Sequence, residues 1–431
     1  IIRKKYNLRK VMIIHVVQPG DTIFTIADYY GKDVYELIKE NDLTDYGLVV
    51  GETISIVYPT QRYLVQYGDT LEGIAENFNI STMELLRNNP SLIEEVLDPG
   101  SSIIISYEEE KTSEISTFGY VFPYVDIKII EKSLPFLTYI TISRYSFTFG
   151  GRILDIQDED IIQLAKKYLT VPVMTVSSIG VDLQLVHNIL NDDDLQNDFI
   201  DQILNIVQRK GYEAVNIDFF YILPIDRQQF VNFISSLSLR FKNLGLKLFV
   251  TITVTTFEME SGRLLSGYDY SALGKIADNI IIASYTNGAQ TFCIPELFIP
   301  YSSVQRIFQE LMIQIPREKI ILEFSIIGYY VRLPFIQGES TAYSISNDNA
   351  GRLASQVKAE VHYDPVNLLS YFTYVDSYEY VVVYNDERKA AQYALFIQLY
   401  GIGGVAIWNL TFFPRRTWLM INTLFDIKKI E

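Results

Sequence analysis

Gly211-Tyr-Glu-Ala-Val-Asn-Ile-Asp-Phe-Phe-Tyr221 reads as a strand buried on both faces, the kind that is normally a continuous run of Val, Ile and Leu. Asn216 and Asp218 interrupt that run. Side chains alternate across a strand, so the two point to the same side and must either be paired there or face a ligand. Phe220 shares that side.

Working outward, short apolar runs alternate with amphipathic helical stretches from about Gly119 to the C-terminus. Candidate strands are Gly119-Tyr-Val, Tyr139-Ile-Thr-Ile, Val171-Pro-Val-Met-Thr-Val, Ala214 to Phe219, Leu246 to Val254, Asn279 to Tyr285, Lys319 to Ser325 and Gly404 to Trp408. Alternation of this kind predicts a parallel α/β architecture, and about 310 residues suffice for a (β/α)8 TIM barrel with an insertion. The barrel is expected over 114–431, with an α+β insertion at about 329–387 between strands seven and eight. Chemistry in such barrels sits at the carboxyl ends of the strands. The positions to read are therefore Asn216, Asp218, Phe220, Tyr285, Thr286, Tyr329 and Trp408, and an acid among aromatic rings there suits a saccharide cleft.

The N-terminal quarter holds an internal repeat. Gly20-Asp-Thr-Ile recurs as Gly68-Asp-Thr-Leu, Ile26-Ala27 as Ile74-Ala75, Asn41 as Asn89, Gly51 as Gly100, and Ile54-Ser-Ile56 as Ile103-Ile-Ile105. Each copy reads strand, helix, helix, strand, over 12–58 and 62–107, with Asp or Thr where a helix N-cap belongs. Pro59-Thr-Gln61 is too short for a flexible linker, so the copies should lie close together. The acidic Glu108-Glu-Glu-Lys-Thr-Ser113 reads as a solvated tether to the barrel.

Composition narrows the partners. With 48% hydrophobic and 20% charged residues the chain is a globular protein, and its formal net charge of −16 argues against nucleic acid. Cys293 is the single cysteine and His15, His187 and His362 are scattered, so no intrachain disulfide and no Cys/His metal site is expected. No phosphate-binding glycine loop or serine-nucleophile elbow occurs, and no cofactor is implied. No apolar run reaches the ~20 residues of a membrane span, and no export signal is read. Either Ile1 or Met12 serves as the start in this reading. Asn385-Asp-Glu387 is expected to be a surface turn.

The repeat resembles the LysM family, small βααβ modules that bind N-acetylglucosamine-containing glycans. The residues that carry the resemblance are Val17-x-x-Gly20-Asp-Thr-Ile-x-x-Ile26-Ala, Asn41-x-Leu43 and Val50-Gly51-x-x-Ile54, with Gly68-Asp-Thr-Leu71 in the second copy. In that family sugar lies between the loop after the first strand and the loop before the last. The resemblance thus implicates Gly20, Asp21, Thr22, Ile23 and Leu43, and Gly68, Asp69, Thr70, Leu71 and Pro90. A Gly-Asp-Thr sequence is equally a turn followed by an N-cap, so each single residue also has a purely structural reading.

The barrel resembles family 18 glycoside hydrolases, through the strand-four stretch above, Ser284-Tyr285 on strand six and Trp408 on strand eight. With two LysM modules, the whole chain from Met12 resembles spore cortex-lytic N-acetylglucosaminidases. The family's strand-four pattern D-x-x-D-x-D-x-E falls on Glu213, Asn216, Asp218 and Phe220. Its last acid protonates the leaving oxygen and the preceding Asp orients the substrate acetamide, whose carbonyl oxygen is the nucleophile. Phe220 cannot donate a proton, and no intact catalytic set remains. Strand six keeps Tyr285 but has Thr286 where an acid belongs. Asp226, in the following loop, is the acid that a folded-back loop would bring closest. The expectation is a peptidoglycan-binding spore-envelope protein with an inactive glycosidase-like barrel, binding N-acetylglucosamine glycan and other spore-envelope proteins. The alternative is an active N-acetylglucosaminidase of the spore cortex.

Overall fold

The computed structural model describes residues 12–43, 47–108, 111–178, 183–254, 267–283, 301–336 and 340–430. Eight parallel strands close into a barrel: β5 (Glu114–Val121), β6 (Tyr139–Tyr145), β7 (Val171–Ser177), β8 (Ala214–Asp218), β9 (Lys247–Thr253), β10 (Asn279–Ala283), β11 (Ile320–Ser325) and β17 (Gly404–Trp408), with β17 pairing back onto β5. Each of the eight expected strands is therefore present, and the (β/α)8 class holds.

The stretch that opens at Gly211 shows how the local sequence builds this. The amphipathic helix Asp193–Lys210 is N-capped by Asp192, whose side chain accepts from the Leu195 N–H, and it ends at Gly211 with φ 77°. That left-handed turn suits glycine and redirects the chain into β8. Val215 and Ile217 of β8 then pack outward under the helices, and Phe219 stacks on Phe233 with ring centroids 5.6 Å apart. The inward residues form a separate core. Phe118, Tyr139, Val173, Ala214, Phe249, Ile281, Ile321 and Ala406 fill the lumen, where Phe118 and Tyr139 stack at 4.5 Å and Phe249 closes edge-on at 5.2 Å from Phe118. This aromatic floor leaves the polar inward residues in the upper lumen, toward the carboxyl ends of the strands.

Between β11 and β17 the chain leaves the barrel to form β12 (Ile327–Arg332), β13 (Ala342–Ser346), the helix Asn347–Val357, β14 (His362–Asp364), β15 (Leu369–Asp376) and β16 (Tyr378–Tyr384). Its five strands make an antiparallel sheet in the order β13-β12-β16-β15-β14. The two N-terminal repeats are separate βααβ units, β1 (Ile13–Val16) with β2 (Thr53–Ile56) and β3 (Pro59–Leu64) with β4 (Ser102–Tyr107), each with its own core.

These parts are joined by buried polar contacts. Arg87 of the second module donates to the Asn422 side chain at 3.0 Å and to the Pro135 carbonyl at 3.2 Å, and Asn422 in turn donates to Asn88 at 2.7 Å. Arg416 lies 3.4 Å from both Glu52 of the first module and Glu387. Thr53 also donates to Glu387. This corrects the expectation of a surface turn at Asn385-Asp-Glu387: all three residues are buried. Charge in a turn normally signals solvent, but here the acids meet Arg416, Arg388 and the first module across a tertiary joint.

Candidate functional site

Inward-facing Asn216 and Asp218 lie where the strand parity put them. Asn216 is fully buried and accepts from the Thr251 hydroxyl at 3.0 Å. Asp218 accepts from the Ser177 hydroxyl of the adjacent strand at 3.1 Å. Burial pushes the Asp218 carboxyl up to about 6, opposed by the Ser177 hydrogen bond and the charge of Arg144. Phe220, beyond the end of β8, is half-buried, and its N–H donates to the Ser178 hydroxyl at 2.9 Å.

The two acids nearest β8 in sequence are each engaged elsewhere. Glu213 precedes β8 at the opposite end of the barrel, exposed and 3.1 Å from Lys166. Asp226 is buried and taken up by His187 at 2.7 Å and Asn191 at 2.8 Å, both from the helix Leu183–Asn191. Tyr285 and Thr286 lie outside the described residues. Trp408 sits half-buried at the end of β17, edge-on to Tyr120 at 5.1 Å and to Phe122 at 5.9 Å. Tyr329 belongs to β12, which pairs with β13 and β16 and so carries it into the inserted sheet.

One lumen acid escapes a reading confined to strand ends and family motifs. Glu323 lies within β11, two residues beyond the lumen residue Ile321 and opposite Ala406 in register, so it too points inward. It is 4% exposed. Burial, and then the charge of Asp218 acting on it, push its carboxyl up to about 8. A signal was present in Ile320-Ile-Leu-Glu-Phe-Ser325: the same alternation rule that singles out Asp218 flags a charged residue in mid-strand. Tyr120 and Thr251 complete this polar layer, their hydroxyls 3.3 Å apart.

In the modules, Gly20 and Gly68 adopt φ +93° and +91° at exposed turns. The side chains that follow hold those turns together. Asp21 accepts from the Gln18 N–H at 2.7 Å and meets His15 at 3.0 Å, and the two contacts lower its carboxyl in that order. Thr22 caps its helix through the Thr25 N–H. Asp69 and Thr70 repeat the pattern with Gln66 and Gly73. Ile23 and Leu71 are half-buried, Leu43 is in the first module's core, and Pro90 is buried at the joint with the barrel, beside Phe413 and Arg415.

The two modules differ in the loop before their last strand. In the first, Val49 is buried in the core of the inserted domain with Phe372 and Val382, and the Val361 N–H donates to the Val50 carbonyl at 2.8 Å. In the second, Glu94, Glu95, Val96, Asp98, Pro99 and Gly100 are all exposed. Tyr67, just before Gly68, is 96% exposed; the first module has Pro19 at that place.

Among the described residues no group of three His, Cys, Asp or Glu side chains is arranged to hold a metal ion, and no helix is long and apolar enough to cross a membrane. Residues 104–412 match the glycosyl hydrolases family 18, and residues 15–57 and 63–106 each match the LysM domain. The chain is 26% identical over 430 residues to the cortical fragment-lytic enzyme of Bacillus anthracis, covering 96% of this chain and 99% of that one. It is 25% identical to its namesake from Bacillus subtilis (strain 168), with coverage of 97% and 99%. Among solved structures it resembles the spore cortex-lytic enzyme SleL of Bacillus cereus, with a TM-score of 0.79, 25% identity and coverage of 97% and 99%.

Proposed function

The chain belongs to the glycosyl hydrolases of family 18, and from this we propose that it recognises N-acetylglucosamine-containing glycan of the spore cortex while lacking hydrolysis by the strand-four acid. The observation that carries this reading is Phe220 at the strand end, beside a retained Asn216 and Asp218. A phenyl ring has no proton to give a leaving oxygen, and loss of general acid catalysis removes roughly 10²- to 10⁴-fold in rate. The two LysM modules hold the chain on insoluble glycan, and the barrel adds a second contact with saccharide. Deposition in the spore envelope follows from that ligand.

The relatives support a second reading. Two enzymes named as lytic toward cortical fragments align with this chain from end to end, and their names favour an active hydrolase with a proton donor drawn from elsewhere. One experiment separates the readings: incubation with an aryl N-acetylglucosaminide and with purified cortex fragments. Retention on insoluble peptidoglycan without product release is expected. Turnover that disappears in Asp218→Asn would establish the hydrolase instead, and absence of retention above blank resin would remove the binding function.

A further inference from the structure

We propose that the joint between the two modules and the barrel binds a carboxylate carried by peptidoglycan, a group that neutral chitin lacks, with Arg415 as its principal partner. This rests on the glycan reading above and names the feature of the glycan that is selected.

A cleft of about 110 Å³ opens where three parts of the chain meet: the helix Val34–Asn41 of the first module, the helix Thr82–Asn88 with strand β4 of the second, and the helix Arg415–Leu424 of the barrel. Its two acids are already matched. Glu36 pairs with Arg62 at 2.7 Å, and Glu40 with Lys32 at 3.1 Å. Its remaining cations are not. Arg87 is buried, yet it donates only to the neutral oxygens of Asn422 and Pro135. The half-buried Arg415 guanidinium has no hydrogen-bond or ion-pair partner among the described residues, and Asp42, Glu40 and Glu95 act on it only as more distant charges. Lys39, which is exposed, donates to the Ser91 hydroxyl at 3.1 Å.

Tyr107 adds a phenol to the same wall. It is half-buried, its hydroxyl has no hydrogen-bond partner among the described residues, and it lies within reach of the charges of Glu40 and Arg415. A guanidinium withdrawn from water is normally paired with an acid, and a withdrawn phenol with an acceptor. Two unpaired guanidinium groups and an unfilled phenol around one space therefore describe an anion that accepts several hydrogen bonds. A carboxylate does so, and its two oxygens match the fork of a guanidinium. Burial lowers both guanidinium groups, that of Arg87 to about 10, as expected of cations without a counter-charge in place.

The cleft continues into a second space of about 320 Å³ that shares Pro90, Ser91, Phe413 and Arg415 with it and reaches Phe412 and the insertion at Ser346 and Asn349. Here the acids are less fully matched: Glu94 pairs with Lys132 at 2.6 Å and Asp348 with Arg416 at 3.4 Å, while Asp42 and Glu95 remain. The carboxylate accordingly belongs in the inner space and the uncharged sugar in the outer one, where the half-buried rings of Phe412 and Phe413 suit its C–H faces. The net charge of −16 repels anions from the chain at large, so selection must come from local cations such as these.

Isothermal titration of the full chain tests this with three ligands: the disaccharide of N-acetylglucosamine and N-acetylmuramic acid, the same disaccharide bearing its peptide stem, and diacetylchitobiose. The first and last differ only by the lactyl ether and its carboxylate. An acidic ligand should bind about tenfold or more tightly than diacetylchitobiose, and Arg415→Gln should abolish that preference. Arg415→Lys should keep part of it, and the exposed-surface control Arg317→Gln all of it. Tyr107→Phe, which deletes one hydroxyl, should weaken the acidic ligand alone, and circular dichroism reports folding of each variant. Preference for the plain disaccharide places the lactyl carboxylate in the cleft; preference for the stem-bearing form alone places a peptide carboxylate there. Equal binding of acidic and neutral ligands, or a preference unaltered in both Arg415→Gln and Tyr107→Phe, overturns the inference and leaves the glycan reading standing. No binding by any of the three overturns both.

Discussion

Phe220, where the family pattern has an acid, and Glu323, an acid buried in mid-strand, each carry a test at the scale of single residues. Phe220→Glu restores a carboxyl at the end of β8 beside Asp218; hydrolysis of cortex fragments should then rise by roughly 10²-fold or more over wild type, read by reducing-sugar release. A variant that stays inert while still binding glycan would mean that more than the acid has been lost. Glu323 supplies a stability test. A carboxyl with a folded-state pKa above its unfolded value holds its proton more tightly when folded, so the stability it contributes is present at acid pH and is lost as pH rises through the folded pKa. Glu323 moves from 4.5 to about 8 and Asp218 from 3.8 to about 6. The stability these two acids contribute should therefore fall between about pH 3.8 and about pH 8, and Glu323→Gln should flatten that fall and raise Tm at the alkaline end. A melting profile of unchanged slope in the variant would contradict the burial assigned to this acid.

Elements explain why two copies of one module present different surfaces. Both make the same turn, the same N-cap and the same small core, because the Gly-Asp-Thr sequence dictates them locally. Their last loops meet different surroundings: that of the first module is buried against the inserted sheet, and that of the second is open beside Tyr67. Glycan retention should accordingly depend on the second module. Tyr67→Ala, which removes a fully exposed ring and touches no core, should weaken retention on insoluble peptidoglycan about tenfold with no change in Tm. Pro19→Ala in the first module should leave retention as it is. The repeat was legible from sequence because its spacing is local. The asymmetry was not, since nothing in residues 49–51 announces that Val361, more than 300 positions later, packs on them.

For the molecule as a whole, the modules, barrel and insertion are locked by a few close approaches. At Gly51, φ is +87°, and an added Cβ would stand 1.8 Å from the Val361 carbonyl oxygen. Gly51→Ala should thus loosen the first module from the insertion, seen as a larger radius of gyration in solution scattering and a destabilisation of about 2 kcal/mol. Unchanged dimensions would mean that the Arg416 contacts with Glu52 and Glu387 suffice. By itself the sequence determined the barrel, its eight strands, the repeat and the inward position of Asn216 and Asp218, because alternation, helix caps and glycine turns act over a few residues. Only the tertiary structure decided that Glu323 faces the lumen with Asp218, that Asp226 is held by His187 and Asn191, that residues 385–387 are buried, and that the last loop of one module is covered while that of the other is open. Each of these depends on segments far apart in the chain being brought within contact, and on the loss of water around charges that a sequence shows only as polar.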